Sequence, residues 1–240
     1  MSIYYRTKGF VLSKYNAREA DQVFDIYTKD FGKLKISGKG IRKIKSKLKP
    51  GMELFCLSKV EFIQGKTFKT LTDAAVIEKF KNIKKDLNKL KIAYQIAELT
   101  DSLVSGQEKD EAIFNLLTEI FNKLNTYQPI SLPAYQLIYY YFLWNLFSIL
   151  GYQIDLYNCS VCQNKLLPEK LYFILEKGGI TCSKCFKGEG KEIFPEVIKI
   201  LRIFGKRDWS TLLRLKISEP YKKSLESISE SYLFYFEQNQ

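Results

Sequence analysis

Four of the five cysteines in this 240-residue chain are spaced for metal chemistry. They fall in two matched pairs, Cys159-Ser-Val-Cys162 and Cys182-Ser-Lys-Cys185, with nineteen residues between the pairs. Two residues between cysteines let both thiolates point into one tight turn, and two such turns supply the four corners of a tetrahedron around Zn²⁺. An ion held by four thiolates keeps no open position, so it would brace structure and would not activate water. A redox dithiol pair, an iron centre or a transient disulfide are the other uses of this spacing. The intervening link contains the strand-like Leu171-Tyr-Phe-Ile-Leu175 and a Gly178-Gly179 turn, as a zinc ribbon would. The fifth cysteine, Cys56, stands in an apolar run and reads as a small buried core residue.

The second chemical feature is charge. Lys33 to Lys49 holds eight basic residues and no acid: Lys33, Lys35, Lys39, Arg42, Lys43, Lys45, Lys47 and Lys49. The whole chain carries 38 Lys/Arg against 26 Asp/Glu, a net charge of +12. Of these, 17 basic and 8 acidic residues lie in the first 80 positions, so the first third carries most of the field. Such an excess points to a polyanionic partner, either nucleic acid or an anionic membrane surface. The basic residues are 32 Lys and 6 Arg. That skew favours point-charge contacts to phosphate over bidentate reading of bases. Gly38 and Gly40 put the run on a flexible connection that can approach a phosphate chain closely. Tyr4, Tyr5, Phe10, Tyr15, Tyr27, Phe31 and Phe68 are aromatic residues of the same region, suited either to stacking on bases or to filling a small core.

Much catalytic chemistry is excluded by composition. The chain has no histidine, which removes Ser-His-Asp and Cys-His mechanisms and histidine metal ligands. It has no G-x-x-x-x-G-K-[ST] loop and no paired acids in a motif, which argues against an ATPase or a nuclease. Asp21, Asp25 and Asp30 are the only clustered acids that a metal-dependent nuclease could use, and they also suit solvated strand and turn positions.

The elements that must position these groups change character near residue 80. Before it the chain reads as five short strands: Ile3 to Tyr15, Ala20 to Lys29, Lys33 to Ser37, Met52 to Ile63 and Thr67 to Lys79. Asp30-Phe-Gly-Lys33 signals a hairpin. In the third strand Lys33 and Lys35 share one face and Leu34 and Ile36 the other. Five strands in about eighty residues fit a small closed barrel of the OB type. After Phe80 the apolar spacing becomes helical. Leu87, Leu90, Tyr94 and Ala97 form one stripe, and Ala112, Ile113, Leu116, Leu117, Ile120 and Leu124 another. Leu132 to Leu150 is uniformly apolar and reads as a central helix. Pro195 and Ser218-Glu-Pro-Tyr221 open two more, carrying Val197, Ile198, Leu201 and Phe204, then Leu225, Ile228, Tyr232 and Phe236. The expectation is an α+β chain. An OB-fold domain spans residues 1–80, and a helical domain spans 81–240 with a zinc-binding insertion at about 157–190.

Residues 124–154 contain no charge, a length that could span a bilayer. Pro133, Gln136, Asn145, Ser148 and three successive tyrosines interrupt the stretch, and a buried bundle helix is the expected reading. The N-terminus lacks the apolar run of a secretory signal, so a cytoplasmic, nucleoid-associated location without membrane attachment is expected.

In order and spacing the chain resembles the RecO family of bacterial recombination mediators. The resemblance rests on Lys8-Gly-Phe-Val-Leu12, Arg18-Glu-Ala-Asp21, Tyr27-Thr-Lys-Asp-Phe-Gly-Lys33 and Lys39-Gly-Ile-Arg42. It continues through Leu150-Gly-Tyr152, Cys159-Ser-Val-Cys162 and Gly178-Gly-Ile-Thr-Cys182. It implies a non-enzymatic protein that binds single- and double-stranded DNA, anneals complementary strands and acts with RecR. Together these help load RecA onto DNA covered by single-strand-binding protein, whose acidic C-terminal tail the helical domain would bind. The DNA contact of the barrel carries over to Lys33, Lys35, Lys39, Arg42 and Lys43, whereas Lys45, Lys47 and Lys49 rest on charge alone. The Lys-rich, Arg-poor loop departs from a bidentate pattern. An RNA-binding translation or ribosome factor remains the alternative, because a barrel with a zinc ribbon suits RNA equally well.

Overall fold

Residues 3–65, 68–127 and 132–239 are described by the computed structural model. Five strands come first: β1 (Tyr4–Asn16), β2 (Gln22–Thr28), β3 (Gly32–Gly38), β4 (Leu57–Gln64) and β5 (Lys69–Glu78). They close into a barrel in the order β1-β2-β3-β5-β4. β1 makes closure possible because it is long enough to serve two partners. Its first half pairs with β4 (Tyr4 opposite Ile63) and its second half with β2 (Asn16 opposite Gln22). An irregularity between Val11 and Ser13 bends the strand between the two pairings. The ring is sealed by a short parallel contact, Ile36 with Lys69 and Ser37 with Thr70. Thr67, expected at the head of the fifth strand, lies outside the described residues.

Alternation decides what fills the barrel. Leu34 and Ile36 of β3 point inward with Phe24 and Ile26 of β2, while Lys33 and Lys35 face out. Val60, Phe62 and Leu71 complete the core, each large side chain contributing roughly 1.5–3 kcal/mol by burial. The run from Met52, expected as the start of a strand, is built differently. Lys49–Met52 is a 3-10 turn whose Met52 enters the barrel core, and β4 begins only at Leu57. Phe55 between them has φ of +59°, which no strand tolerates, so apolar character there reflects a plug and not pleating. Cys56 is fully buried, as expected.

Three helices follow: α1 (Lys81–Lys84), α2 (Leu87–Leu103) and α3 (Glu111–Thr126). With the barrel they form one compact unit, Met1–Tyr135. Phe10 faces out of the barrel onto Phe121 of α3, ring centroids 5.2 Å apart, and Phe80 packs on the same ring. The buried face of α2 is Ile92, Ala93, Ile96, Leu99 and Leu103. Of the stripe read from Leu87, Leu90, Tyr94 and Ala97, Ala97 is buried as expected and Leu90 half-buried, but Leu87 is 85% and Tyr94 43% exposed, so the stripe is corrected at those two. Along α3, Ile113 to Leu124 are buried as expected, but Ala112 is exposed.

The second compact unit, Gln136–Gln240, is arranged around α4 (Leu132–Ile149). A three-stranded sheet, β6 (Leu171–Ile174), β7 (Gly179–Cys182) and β8 (Lys191–Ile193), runs in the order β7-β6-β8. Helices α5 (Pro195–Gly205), α6 (Trp209–Leu212) and α7 (Glu219–Gln238) complete the unit. Tyr141, Trp144 and Phe147 of α4 have partners within it. Trp144 stacks on Tyr232 of α7 at 5.3 Å and donates its indole N–H to Ser229. Asn145, buried on the same helix, donates to the carbonyls of Tyr141 and Phe204. Among the described residues no helix is long and apolar enough to cross a membrane.

Candidate metal centre and nucleic-acid interface

The four paired cysteines converge. Cys159 opens a tight turn closed by Gln163 N–H donating to its carbonyl, with Gln163 in the left-handed region. Cys182 ends β7 and begins the second turn, where Cys185 N–H donates to the Cys182 carbonyl. The four sulfurs lie within 4.8 Å of one another, and Cys162 Sγ is 3.9 Å from Cys182 Sγ. All four cysteines are free thiols in this structure. A tetrahedral ion with metal–sulfur bonds of about 2.3 Å requires sulfurs about 3.8 Å apart, so the cluster can hold a metal ion. Backbone N–H groups of Val161 and Cys182 point at the buried Cys159 sulfur, at 3.5 and 3.4 Å. Burial pushes the Cys159 thiol up, but N–H groups of Cys162, Cys182 and Val161 outweigh it and bring its pKa down to about 6. Hydrogen bonds to Cys162 and Cys182 push Cys185 up to about 12. Four sulfurs this close cannot all ionise without a cation between them. Four thiolates would fill the positions of a tetrahedral ion and leave none for water or substrate. Among the described residues no other group of three or more acids or cysteines could hold an ion.

The basic run divides into two kinds of residue. Lys33 and Lys35 project from the outer face of β3, and both are tied to acids. Lys33 Nζ lies 2.6 Å from Asp101 of α2, and Lys35 Nζ lies 3.7 Å from Asp25, only 8% exposed, and over the ring of Tyr15. Asp25, and after it Tyr15, raises the Lys35 pKa. The turn after β3 is different. Ile41 is its buried anchor within the barrel core, and Gly40 N–H donates to Asp21 Oδ1 at 2.7 Å. Arg42 N–H donates to the Ala20 carbonyl, and its guanidinium to the Glu19 carbonyl at 2.9 Å. The connection expected to be flexible is therefore pinned to the β1–β2 loop. Gly40, at φ of +63°, supplies the bend. Lys39, Lys43, Lys45, Lys47 and Lys49 are exposed, and none has a carboxylate partner among the described residues.

Lys39 also lines a groove of about 430 Å³ on the outer face of β2 and β3, with Arg18, Asp21, Val23, Ser37, Phe68 and Thr70. Arg18 comes from the loop after β1 and Phe68, 61% exposed, from the loop before β5. These two loops and this face form the surface on which OB barrels hold oligonucleotides. Arg18 was not among the residues expected to bind. A lone basic residue beside Glu19 and Asp21 gives no charge signal, and only its place in the first barrel loop marks it. Of the seven aromatic residues, Phe10 and Tyr27 are fully buried, and Tyr5 and Phe31 pack against the barrel core. Tyr4, Tyr15 and Phe68 remain exposed. Asp21, Asp25 and Asp30 do not form a site. Each is engaged separately, by Gly40 N–H, by Ser13 and Lys35, and by Thr7.

Comparison with known proteins agrees with this architecture. Residues 1–80 match the family model described as Recombination protein O N terminal, and residues 84–235 match Recombination protein O C terminal. The DNA repair protein RecO of Dehalococcoides mccartyi is 33% identical over 224 residues, covering 92% of this chain and 86% of that protein. The DNA repair protein RecO of Desulforamulus reducens is 30% identical over 234 residues, 97% of this chain and 89% of its own. That of Moorella thermoacetica is 28% identical over 235 residues, with 97% and 86% covered. With both halves matched in order and relatives aligned almost end to end, the chain belongs to the RecO family.

Proposed function

We propose that this protein is a DNA-binding mediator of recombinational repair. It binds single- and double-stranded DNA and anneals complementary strands. With RecR it helps load RecA onto DNA coated by single-strand-binding protein, whose acidic tail it engages. It has no catalytic residue of its own, and it works in the cytoplasm on the nucleoid. The relatives it aligns with carry the name DNA repair protein. The observation that carries the reading is the turn from Lys39 to Lys49, cationic and without carboxylate partners among the described residues, placed beside the groove of Arg18, Lys39 and Phe68. A fixed cationic surface gathers phosphate chains without sequence preference and screens the repulsion between two strands, and base pairing then drives annealing. Residues 1–80 form the DNA-binding domain in this reading. Residues 81–240 form the helical domain, whose insertion at about 157–190 holds one structural Zn²⁺ on Cys159, Cys162, Cys182 and Cys185. Four soft thiolates at tetrahedral spacing support zinc.

The test is strand annealing on DNA pre-coated with single-strand-binding protein, comparing the parent with Lys39→Gln/Lys43→Gln/Lys45→Gln. Annealing should slow by at least tenfold in the triple variant, and an unchanged rate overturns the reading. Matched RNA oligonucleotides competing better than DNA would assign the surface to RNA.

A further inference from the structure

We propose that the compact unit Met1–Tyr135 holds a second single strand, in a groove distinct from the β2–β3 face and separated from it by the cationic turn. This rests on the nucleic-acid reading above and extends it from one bound strand to two.

The groove, about 680 Å³, lies where the connection between β3 and β4 meets the end of β1 and helices α1 and α2. Its rim carries Lys14, Arg42, Lys49 and Lys84 against a single acid, Glu53. Glu53 is already satisfied by Lys84 Nζ at 2.8 Å, and that bond, with Lys79 and Lys14 nearby, holds its carboxyl below the usual range. The rim therefore presents unbalanced positive charge, which selects a polyanion. The floor selects more narrowly. Leu54 and Leu90 make it apolar, and Tyr94 lines it with its ring held edge-to-face on Phe55 at 4.8 Å. An aromatic ring fixed in place and partly exposed is a stacking platform that loses little entropy when used. Cations around a pinned aromatic ring on an apolar floor suit phosphates joined to flat bases. Free phosphate would leave the floor unused.

The two grooves share no lining residue. They divide the cationic turn between them, with Lys39 lining the first and Arg42 and Lys49 the second. On β2 the neighbours Gln22 and Val23 line one groove each, as alternation along a strand dictates. Exposed Lys43, Lys45 and Lys47 stand on the turn between Lys39 and Lys49. Two strands seated on either side would be screened from each other by one shared set of lysines, which is the physical requirement for bringing complements together.

The experiment counts strands. Short non-complementary oligothymidylates, one carrying a donor and one an acceptor dye, are titrated onto the intact chain, and bound strands are counted by native mass spectrometry. The parent should hold two strands per chain with energy transfer between them. Lys14→Gln/Tyr94→Leu should keep the first with affinity within about twofold and lose roughly tenfold or more at the second. Lys39→Gln/Phe68→Ala should do the reverse. Lys14→Gln alone, with thermal melting of every variant, separates lost binding from lost folding. A parent that saturates with one strand overturns the proposal while leaving the underlying reading intact, and a parent that binds none overturns both. The proposal also fails if the Lys14/Tyr94 variant still holds two strands.

Discussion

Gly51 leaves no space for a side chain, and this makes it a test of how the cationic turn is held. A Cβ at Gly51 would sit 2.5 Å from the Ala74 carbonyl oxygen on β5, and its own carbonyl accepts from Ser58 at 2.6 Å. Both neighbours are backbone or buried, so neither can yield cheaply. Gly51→Ala is expected to destabilise the protein by about 2 kcal/mol or more in urea unfolding. Gly40 contrasts with it. A Cβ there would meet only the flexible Lys43 chain, 3.6 Å away, and substitution costs only the strain of its positive φ, about 1 kcal/mol. The cysteines act as a set. The parent should bind about one Zn per chain by elemental analysis, while Cys162→Ser/Cys185→Ser should bind none after dialysis against a mild chelator. DNA affinity at the barrel should be unchanged in that variant, because the four cysteines lie in a different compact unit.

Helix α2 shows how an element is set by its ends as much as by its stripe. Asp86 caps it, accepting from Asn88 N–H at 2.8 Å and Lys89 N–H at 3.2 Å, and Tyr135 donates to its other oxygen at 2.7 Å. The Tyr135 hydroxyl first, then these N–H groups, hold the carboxyl below its usual range against the opposing effect of burial. A group depressed in the folded state stabilises above its unfolded pKa, about 3.9, and that contribution is lost as pH falls through the folded value. Asp86→Ala should therefore cost about 1 kcal/mol near neutral pH, and the gap from the parent should shrink in urea melts below about pH 4. The same helix shows where sequence reading fails. It carries two apolar stripes, and the one spaced most like a core is exposed at Leu87 and Tyr94. Tertiary partners chose Ile92, Ile96, Leu99 and Leu103 instead, leaving Leu90 and Tyr94 to line the second groove. The starts of α5 and α7 were legible because proline in the first turn is local chemistry, and their buried faces follow from one unambiguous stripe. The start of β4 was not, since an apolar run does not say whether it pleats or plugs a barrel. That the four paired cysteines come together was readable from spacing alone. The lysines of the turn were readable as a charge run, whereas the place of Arg18 beside Lys39 in one groove shows only in the barrel topology.

At the scale of the molecule, the charge that matters is what remains after internal pairing. By charge alone the eight cations between Lys33 and Lys49 count equally, and the structure separates them. Lys33 and Lys35 face Asp101 and Asp25, so a phosphate approaching either must compete with a carboxylate already in place. Arg42 donates its guanidinium to a neutral backbone carbonyl, and the five lysines from 39 to 49 have no acid to displace among the described residues. Six effective cations predict a slope of log K against log salt near −4 for single strands and about −5 for duplex. Replacing Lys39, Lys43 and Lys45 with Gln should flatten the single-strand slope by about 2, because three counterions are no longer released. Replacing Lys33 and Lys35 instead should move it by less than about 1, although two fully effective cations would change it by about 1.4. Fluorescence titration of both variants across a salt series separates the two outcomes. Equal flattening per lysine in the two variants would mean that net charge alone governs binding and that the pairing with Asp101 and Asp25 does not hold in solution.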